Sequence, residues 1–102
     1  MNVIIGGCGR VGALLSARLS LEGDRIAIID QNPQAFERLA DSFRGTMHVG
    51  KVFDRDTLLA AGIGHADAYV AVTSGDNSNI VSTLVAKEEF GVPRVLARIY
   101  DP

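Results

Sequence analysis

The sequence has 102 residues, of which 47% are hydrophobic and 22% are charged, and its formal net charge is −2 at pH 7. This length fits one domain, and the composition is that of a globular protein and excludes a disordered chain. Because ten basic and twelve acidic residues are interleaved without a basic stretch, we expect no binding to nucleic acid.

The chain opens with a predicted strand and helix. The apolar run 3–5 predicts a buried strand, and a helical pattern follows over residues 11–21. Gly23 is expected to end this helix. Its apolar positions form one stripe that we expect to pack on the sheet: Val11, Leu14, Leu15 and Leu19.

A strand over 26–29 and a second helix are predicted next. Asn32 and Pro33 are typical of a helix start, because asparagine can cap the free backbone N–H groups and proline fits the first turn. Gly45 is expected to end this helix. The apolar residues between have the spacing of one helical face: Phe36, Leu39, Ala40 and Phe43.

The second half of the chain repeats this alternation. After a short strand over 46–49, Asp54 is expected to cap a helix that ends at Gly62. The run 68–73 is apolar throughout, which is typical of a central parallel strand. Asp76 is expected to cap the longest helix, which precedes a strand over 95–99. The apolar face predicted for that helix consists of Ile80, Val81, Leu84 and Val85.

Five strands alternating with four helices predict an α/β fold. We expect a Rossmann-like, doubly wound parallel sheet of order 3-2-1-4-5, with helices on both faces, in a single domain over residues 1–102. The chain ends before the sixth strand that a full dinucleotide-binding domain usually has.

No feature of the sequence predicts a membrane span or a leader. The longest apolar run, 68–72, is far shorter than the ~20 residues that a span needs. The first strand follows Met1 directly, so we expect no signal peptide. The single cysteine, Cys8, cannot form an internal disulfide, which fits a reducing cytosol. We therefore expect a cytoplasmic protein without direct membrane insertion.

The glycine cluster after the first strand matches the pattern GxGxxG. Gly7 allows a tight turn, Gly9 lets the backbone approach a phosphate, and Gly12 lets the helix pack closely on the sheet. A phosphate there would face the free N–H groups and the positive end of the helix dipole. The alternative is that the glycines serve helix packing alone.

Asp30 ends the second strand, where a carboxylate can accept hydrogen bonds from both hydroxyls of a ribose. Its charge would repel a 2′-phosphate, so NADP is disfavoured. The alternative is a solvated carboxylate at a strand end. Together with the glycine pattern, Asp30 predicts a nucleotide-binding site.

Further candidate residues lie near the predicted site. Arg10 and Arg98 could contact phosphates, although Arg10 could also be solvated and Arg98 could belong to an interface or an ion pair. The loop 73–79 faces the glycine loop at the reversal of strand order and could hold ribose or phosphate, or only cap a helix. Cys8 could have a lowered pKa near the helix start, or be a small residue at a variable position. His48 and His65 lack metal-ligand spacing, so we expect no metal site.

These residues resemble the N-terminal domain of the TrkA and RCK family, the regulators of potassium conductance and uptake. The similarity includes Asp30, Gly50 to Asp54, Ala61 to Ile63, the strand 68–73, and the closing run from Arg94 to Asp101 and Pro102. The resemblance implies a regulatory subunit, not an enzyme, that binds NAD(H) or ATP/ADP. It also implies a homodimer or higher homo-oligomer, and a membrane-embedded potassium-translocating partner at the inner face of the cell membrane.

The cofactor-binding residues predicted from the pattern and the resemblance are Gly7, Cys8, Gly9, Arg10, Val11, Gly12, Asp30, Gln31, Lys51, Val52, Thr73, Ser74, Gly75, Asp76, Asn79 and Arg98. Two positions depart from the family. Lys51 replaces the usual acidic residue near adenine, and Phe53 replaces a small hydroxyl residue. Two other hypotheses remain: a Rossmann-like interaction module with an empty pocket, and an NAD-dependent oxidoreductase domain.

Overall fold

A computed structural model describes residues 1–100 and contains one parallel five-stranded sheet. The strand order is β3-β2-β1-β4-β5, as the sequence predicts. Asp101 and Pro102, which close the family pattern, lie outside the described residues. The strands are β1 Asn2–Gly6, β2 Arg25–Asp30, β3 Gly45–Val49, β4 Ala68–Ala71 and β5 Arg94–Ala97.

Successive residues of the central strands enter two separate apolar clusters, one on each face of the sheet. In β1, Val3 and Ile5 belong to one cluster, and Ile4 belongs to the other. Because helices cover both faces, residues of both orientations are buried, and the strand is apolar without alternation.

The first helix, α1 (Arg10–Leu21), packs on the sheet through small residues rather than through the predicted leucine stripe. Its buried residues are Gly12, Ala13 and Ser16, whereas Leu14 is 73% exposed. A Cβ at position 12 would collide with the carbonyl oxygen of Gly7, so the helix lies too close to the sheet for larger side chains. Of the predicted stripe, Leu15 and Leu19 are partly buried against the apolar cluster that contains Val3 and Ile5, and Val11 is exposed.

The prediction of a helix up to residue 43 is wrong beyond residue 38. Asn32 caps it as expected, accepting from the Gln34 backbone N–H at 3.1 Å, but only a 3-10 helix forms, Pro33–Arg38, and Leu39 is extended. The apolar side chains that suggested a longer helix still pack against the core, Phe36 from the 3-10 helix and Leu39 and Phe43 from the irregular backbone after it. Gly45 begins β3 and ends no helix.

The next helix, α2 (Arg55–Ala60), has the predicted ends. The carboxylate of Asp54 accepts hydrogen bonds from the backbone N–H and the hydroxyl of Thr57, at 3.0 and 2.8 Å. Gly62 has φ +90°, which favours glycine, and Ile63 is buried at the start of a 3-10 turn, Ile63–His65.

The last helix, α3 (Asp76–Leu84), continues into a π-helical turn, Val85–Glu89. Its buried residues are Asn79, Ser82 and, in the turn, Ala86. The predicted apolar face is wrong, because Ile80, Val81 and Leu84 are exposed and Val85 is half-buried. Within residues 1–100, no helix has the length and apolarity of a membrane span.

Candidate functional site

A cavity of about 550 Å³ lies at the carboxyl ends of the strands. It opens where the strand order reverses, between β1 and β4, which is where α/β sheets of this type bind ligands. Its walls come from the segments after all five strands. The lining residues are Gly7, Gly9, Arg10, Val11, Asp30, Gln31, Gly50, Lys51, Val52, Phe53, Val72, Thr73, Ser74, Gly75, Ser78, Arg98 and Tyr100.

The glycine loop turns sharply from β1 into α1. Gly7 has φ +116°, and a Cβ there would come within 2.9 Å of the Thr73 backbone nitrogen, so only glycine fits. Gly9 differs, because its φ of −83° suits any residue and a Cβ there would meet nothing within 4 Å. No contact within the described residues requires glycine at position 9, although the residue lines the cavity.

Two helices begin at the cavity without a side-chain cap. The N-cap of α1 is Gly9 and that of α3 is Gly75, and neither supplies a capping hydrogen bond. Asp76 was predicted from the sequence to cap α3. Its carboxylate instead accepts from the Tyr100 backbone N–H at 2.7 Å. The first turns of both helices therefore offer N–H groups and the positive ends of their dipoles toward the cavity.

Asp30 fastens the glycine loop as well as lining the cavity. Its two carboxylate oxygens accept from the backbone N–H groups of Cys8 and Asn32, at 2.8 and 2.9 Å. Each oxygen keeps a further lone pair, so the carboxylate can still accept from a ligand. The backbone contacts hold it in one orientation.

Cys8 is buried and faces away from the cavity. Its thiol lies 3.4 Å from the Ala35 carbonyl oxygen. Burial, followed by the charge of Asp30, raises the pKa of the Cys8 thiol above 9.0. The alternative of a thiol with a lowered pKa is therefore wrong.

Asn79 was expected to border the crevice but is wholly buried beneath it. Its amide oxygen accepts from the backbone N–H of Thr73 at 2.9 Å and from the hydroxyl of Thr73 at 2.6 Å. Its amide nitrogen donates to the carbonyl oxygens of Thr73 and Arg98, at 3.0 and 2.8 Å. Asn79 thus joins the ends of β4 and β5, and it shapes the cavity without lining it.

Among residues 1–100, three cationic side chains and one carboxylate line the cavity: Arg10, Lys51, Arg98 and Asp30. The Arg98 guanidinium lies 4.3 Å from the centre of the Tyr100 ring, and the Lys51 ammonium lies 5.9 Å from that of Phe53. Within residues 1–100 Arg98 forms no ion pair, and its side chain is exposed. The excess of positive charge suits an anionic ligand.

Twelve of the sixteen predicted site residues line the cavity. The other four do not: Cys8, Gly12, Asp76 and Asn79. Five lining residues were missed that position in the fold could have found. Each lies in the segment just after a strand or in the first turn of α3: Gly50, Phe53, Val72, Ser78 and Tyr100. No cluster of three or more potential metal-ligating side chains occurs in the part of the chain that the structure describes.

The comparison with protein families decides the identity of this domain. The model of the TrkA-N domain matches residues 3–102. The chain belongs to the TrkA-N family. This TrkA-N chain is 53% identical over 102 residues to the Trk system potassium uptake protein TrkA of Streptomyces coelicolor, and 34% identical to a TrkA homolog of Pyrococcus abyssi. It is covered completely in both cases but spans only 46% and 45% of these relatives.

Solved structures share the fold of this TrkA-N domain. The Kef C-terminal domain of Shewanella denitrificans, in an AMP-bound form, has a TM-score of 0.75 and 24% identity, over 94% of this chain and 58% of that one. A Rossmann-fold NAD(P)-binding family protein from Shigella flexneri has a TM-score of 0.72 and 19% identity, over 92% and 49%. The Rossmann-type nucleotide-binding fold is therefore common to all three.

Proposed function

We propose that this chain is a regulatory domain of a potassium uptake system, and that its cavity binds a nucleotide with an AMP moiety, either ATP/ADP or NAD(H). The observation that carries the proposal is the uncapped start of α1 at Gly9, opposite the fixed carboxylate of Asp30. A helix start of this kind binds phosphate, and a carboxylate at the end of β2 binds ribose.

The charges of the lining residues suit this assignment. The phosphates would accept hydrogen bonds from the first turn of α1, with Arg10 and Arg98 as charged partners. The ribose would donate to Asp30, whose charge disfavours the 2′-phosphate of NADP. Ser74 and Gly75 lie across the cavity from the glycine loop, and the base would lie toward Gln31, Lys51 and Val52.

Regulation fits the cavity better than catalysis does. The lining residues that the structure describes include no histidine or cysteine, and the one carboxylate among them is held by two backbone N–H groups. The relatives are named as potassium uptake proteins, and one structural neighbour binds AMP. A bound nucleotide would act by its difference in affinity between two states of an assembly.

The proposed assembly has two kinds of partner. One is a membrane-embedded potassium-translocating subunit, which would hold this domain at the cytoplasmic face of the membrane. The other is a second copy of the chain. The exposed apolar side chains of α3 support self-association, since Ile80, Val81 and Leu84 are each more than 40% exposed.

The test is calorimetric titration of the nucleotide-free domain with ATP, ADP, AMP, NAD and NADH, alongside the variant Gly9→Ala. A Cβ at position 9 meets no protein atom, and the weaker N-cap preference of alanine opposes its smaller loss of backbone entropy, so the free energy of unfolding should change by no more than about 1 kcal/mol. The methyl group would occupy the space of a phosphate, so the affinity should fall about tenfold or more.

Gly64→Ala is the matched control, because its Cβ also meets nothing and it lies outside the cavity. It should leave the nucleotide affinity unchanged and alter the free energy of unfolding by no more than about 1 kcal/mol. Equal nucleotide affinity in Gly9→Ala and wild type would contradict the proposed phosphate position. No binding of any nucleotide to the wild type would favour an interaction module with an empty pocket.

A further inference from the structure

The segment after β3 presents an aromatic ring to the cavity beside the proposed ribose site. Phe53 is 37% exposed and lines the cavity. Most of the other lining residues are glycines, polar or charged residues, and Phe53 and Tyr100 are its only aromatic residues. Tyr100 is covered by Arg98, at the opposite edge of the sheet from β3.

The backbone of Phe53 is held on both sides. The Asp54 N–H donates to the Lys51 carbonyl oxygen at 3.0 Å, which closes a turn with Phe53 at its tip. Before it, Val52 is buried and its carbonyl oxygen accepts from the buried hydroxyl of Tyr69 at 3.4 Å. After it, Asp54 caps α2. An exposed ring on such a fixed turn needs little ordering when a ligand binds.

The same turn is fastened to the proposed ribose site. The Gly50 backbone N–H donates to the carbonyl oxygen of Asp30 at 3.1 Å. Since β3 lies beyond β2 from the glycine loop, a nucleotide with its phosphates on α1 and its ribose on Asp30 extends its base toward this turn.

We propose that Phe53 is the stacking surface for the nucleobase, with Lys51 as the hydrogen-bond donor to the edge of that base; this assignment rests on the proposed nucleotide binding. Aromatic rings stack on any base, because every base has a π face. The Lys51 ammonium lies over the Phe53 ring and carries only donors, so it suits acceptor nitrogens of a purine.

The sequence contains no tryptophan, so Phe53→Trp introduces a single fluorescent reporter at the stacking position. Adding AMP should quench its fluorescence saturably. Ribose 5-phosphate, which fills the ribose and phosphate positions without a base, should leave it unchanged. The control Leu59→Trp places the reporter at an exposed position of α2 outside the cavity and should respond to neither compound.

A second variant, Phe53→Leu, keeps an apolar side chain but removes the ring. Its affinity for AMP should fall about tenfold or more, and its affinity for ribose 5-phosphate should stay at the wild-type value. Circular dichroism and thermal unfolding check that the variant is folded.

Unquenched fluorescence in Phe53→Trp together with wild-type AMP affinity in Phe53→Leu would overturn the stacking role and leave the proposed function intact. An equal loss of affinity for AMP and ribose 5-phosphate would also overturn it, because leucine would then have disturbed the whole cavity. If none of ATP, ADP, AMP, NAD and NADH binds the wild type, the proposed function and the stacking role are both contradicted.

Discussion

Asp30 has one proposed task and one observed task, which ordinary site-directed tests would confuse. We propose that its carboxylate accepts from a ribose, and it accepts from the backbone N–H groups of Cys8 and Asn32. Loss of a nucleotide in an Asp30 variant could therefore follow from loss of the glycine loop. For this reason the cleaner test of binding is at Gly9, where a Cβ touches nothing in the protein.

We expect Asp30→Ala to lower the free energy of unfolding by roughly 1–3 kcal/mol, because the N–H of the buried residue Cys8 would lose its acceptor. Urea titration of the ligand-free protein measures this. Gln31→Ala changes an exposed neighbour that lines the same cavity and should change stability little. Equal stability of Asp30→Ala and wild type would mean that these backbone contacts contribute nothing.

The sequence predicted residues that line the cavity where position along a strand determines location. Gly7 and Gly9 could be placed there because they follow β1, and Asp30 because it ends β2, in a spacing with a known geometry. Asp76 and Asn79 were assigned to the cavity because they are polar and near it. Their side chains bind backbone groups of β4 and β5 instead, and which polar group faces a ligand depends on tertiary contacts.

At the scale of elements, strands and helix starts were predicted better than helix faces. The predictions of the buried faces of α1 and α3 were wrong for the same reason. Both helices approach the sheet closely and bury small or polar residues such as Gly12, Ser16 and Ser82. The buried serine hydroxyls form hydrogen bonds within their own helices. The Ser16 hydroxyl, for example, donates to the Ala13 carbonyl oxygen at 2.8 Å. The spacing of apolar residues in the sequence does not predict how closely a helix approaches the sheet.

The cap of α2 makes a pH-dependent contribution to stability. The hydroxyl and then the backbone N–H of Thr57 lower the pKa of Asp54 below 3.8 by hydrogen bonding to its ionised form. Because the folded pKa is the lower one, the stabilisation is present above the unfolded value and is lost as the pH falls through the folded value.

Asp54→Ala should therefore melt at a lower temperature than wild type near neutral pH, and the difference should close as the pH falls below about 4. Thermal unfolding by circular dichroism across this range tests the expectation. Asp56→Ala removes a carboxylate from the same turn but keeps the cap, so its difference from wild type should be smaller. If the difference in melting temperature between wild type and Asp54→Ala does not narrow in acid, the ionised Asp54 carboxylate is not the source of the stabilisation.

At the scale of the whole molecule, the proposed self-association rests on apolar side chains that do not enter the core. Residues expected to bury themselves on the sheet are instead on the outer side of α3. If a second copy covers them, Leu84→Glu should shift the mass in sedimentation equilibrium toward the 10.8 kDa of one chain.

The control is Leu21→Glu, which places the same charge on an exposed leucine at the end of α1. It should keep the wild-type mass. Wild-type mass in both variants would mean that another surface, or none, joins the copies.

The cavity draws its walls from both halves of the sheet, with β1, β2 and β3 on one side and β4 and β5 on the other. A nucleotide that bridges them would have to be released before the two halves could separate. At a concentration one hundred times its dissociation constant it would add about 2.7 kcal/mol to the free energy of unfolding. Resistance of this domain to proteolysis would then rise and fall with the nucleotide supply, so its abundance in the cell would itself record metabolic state.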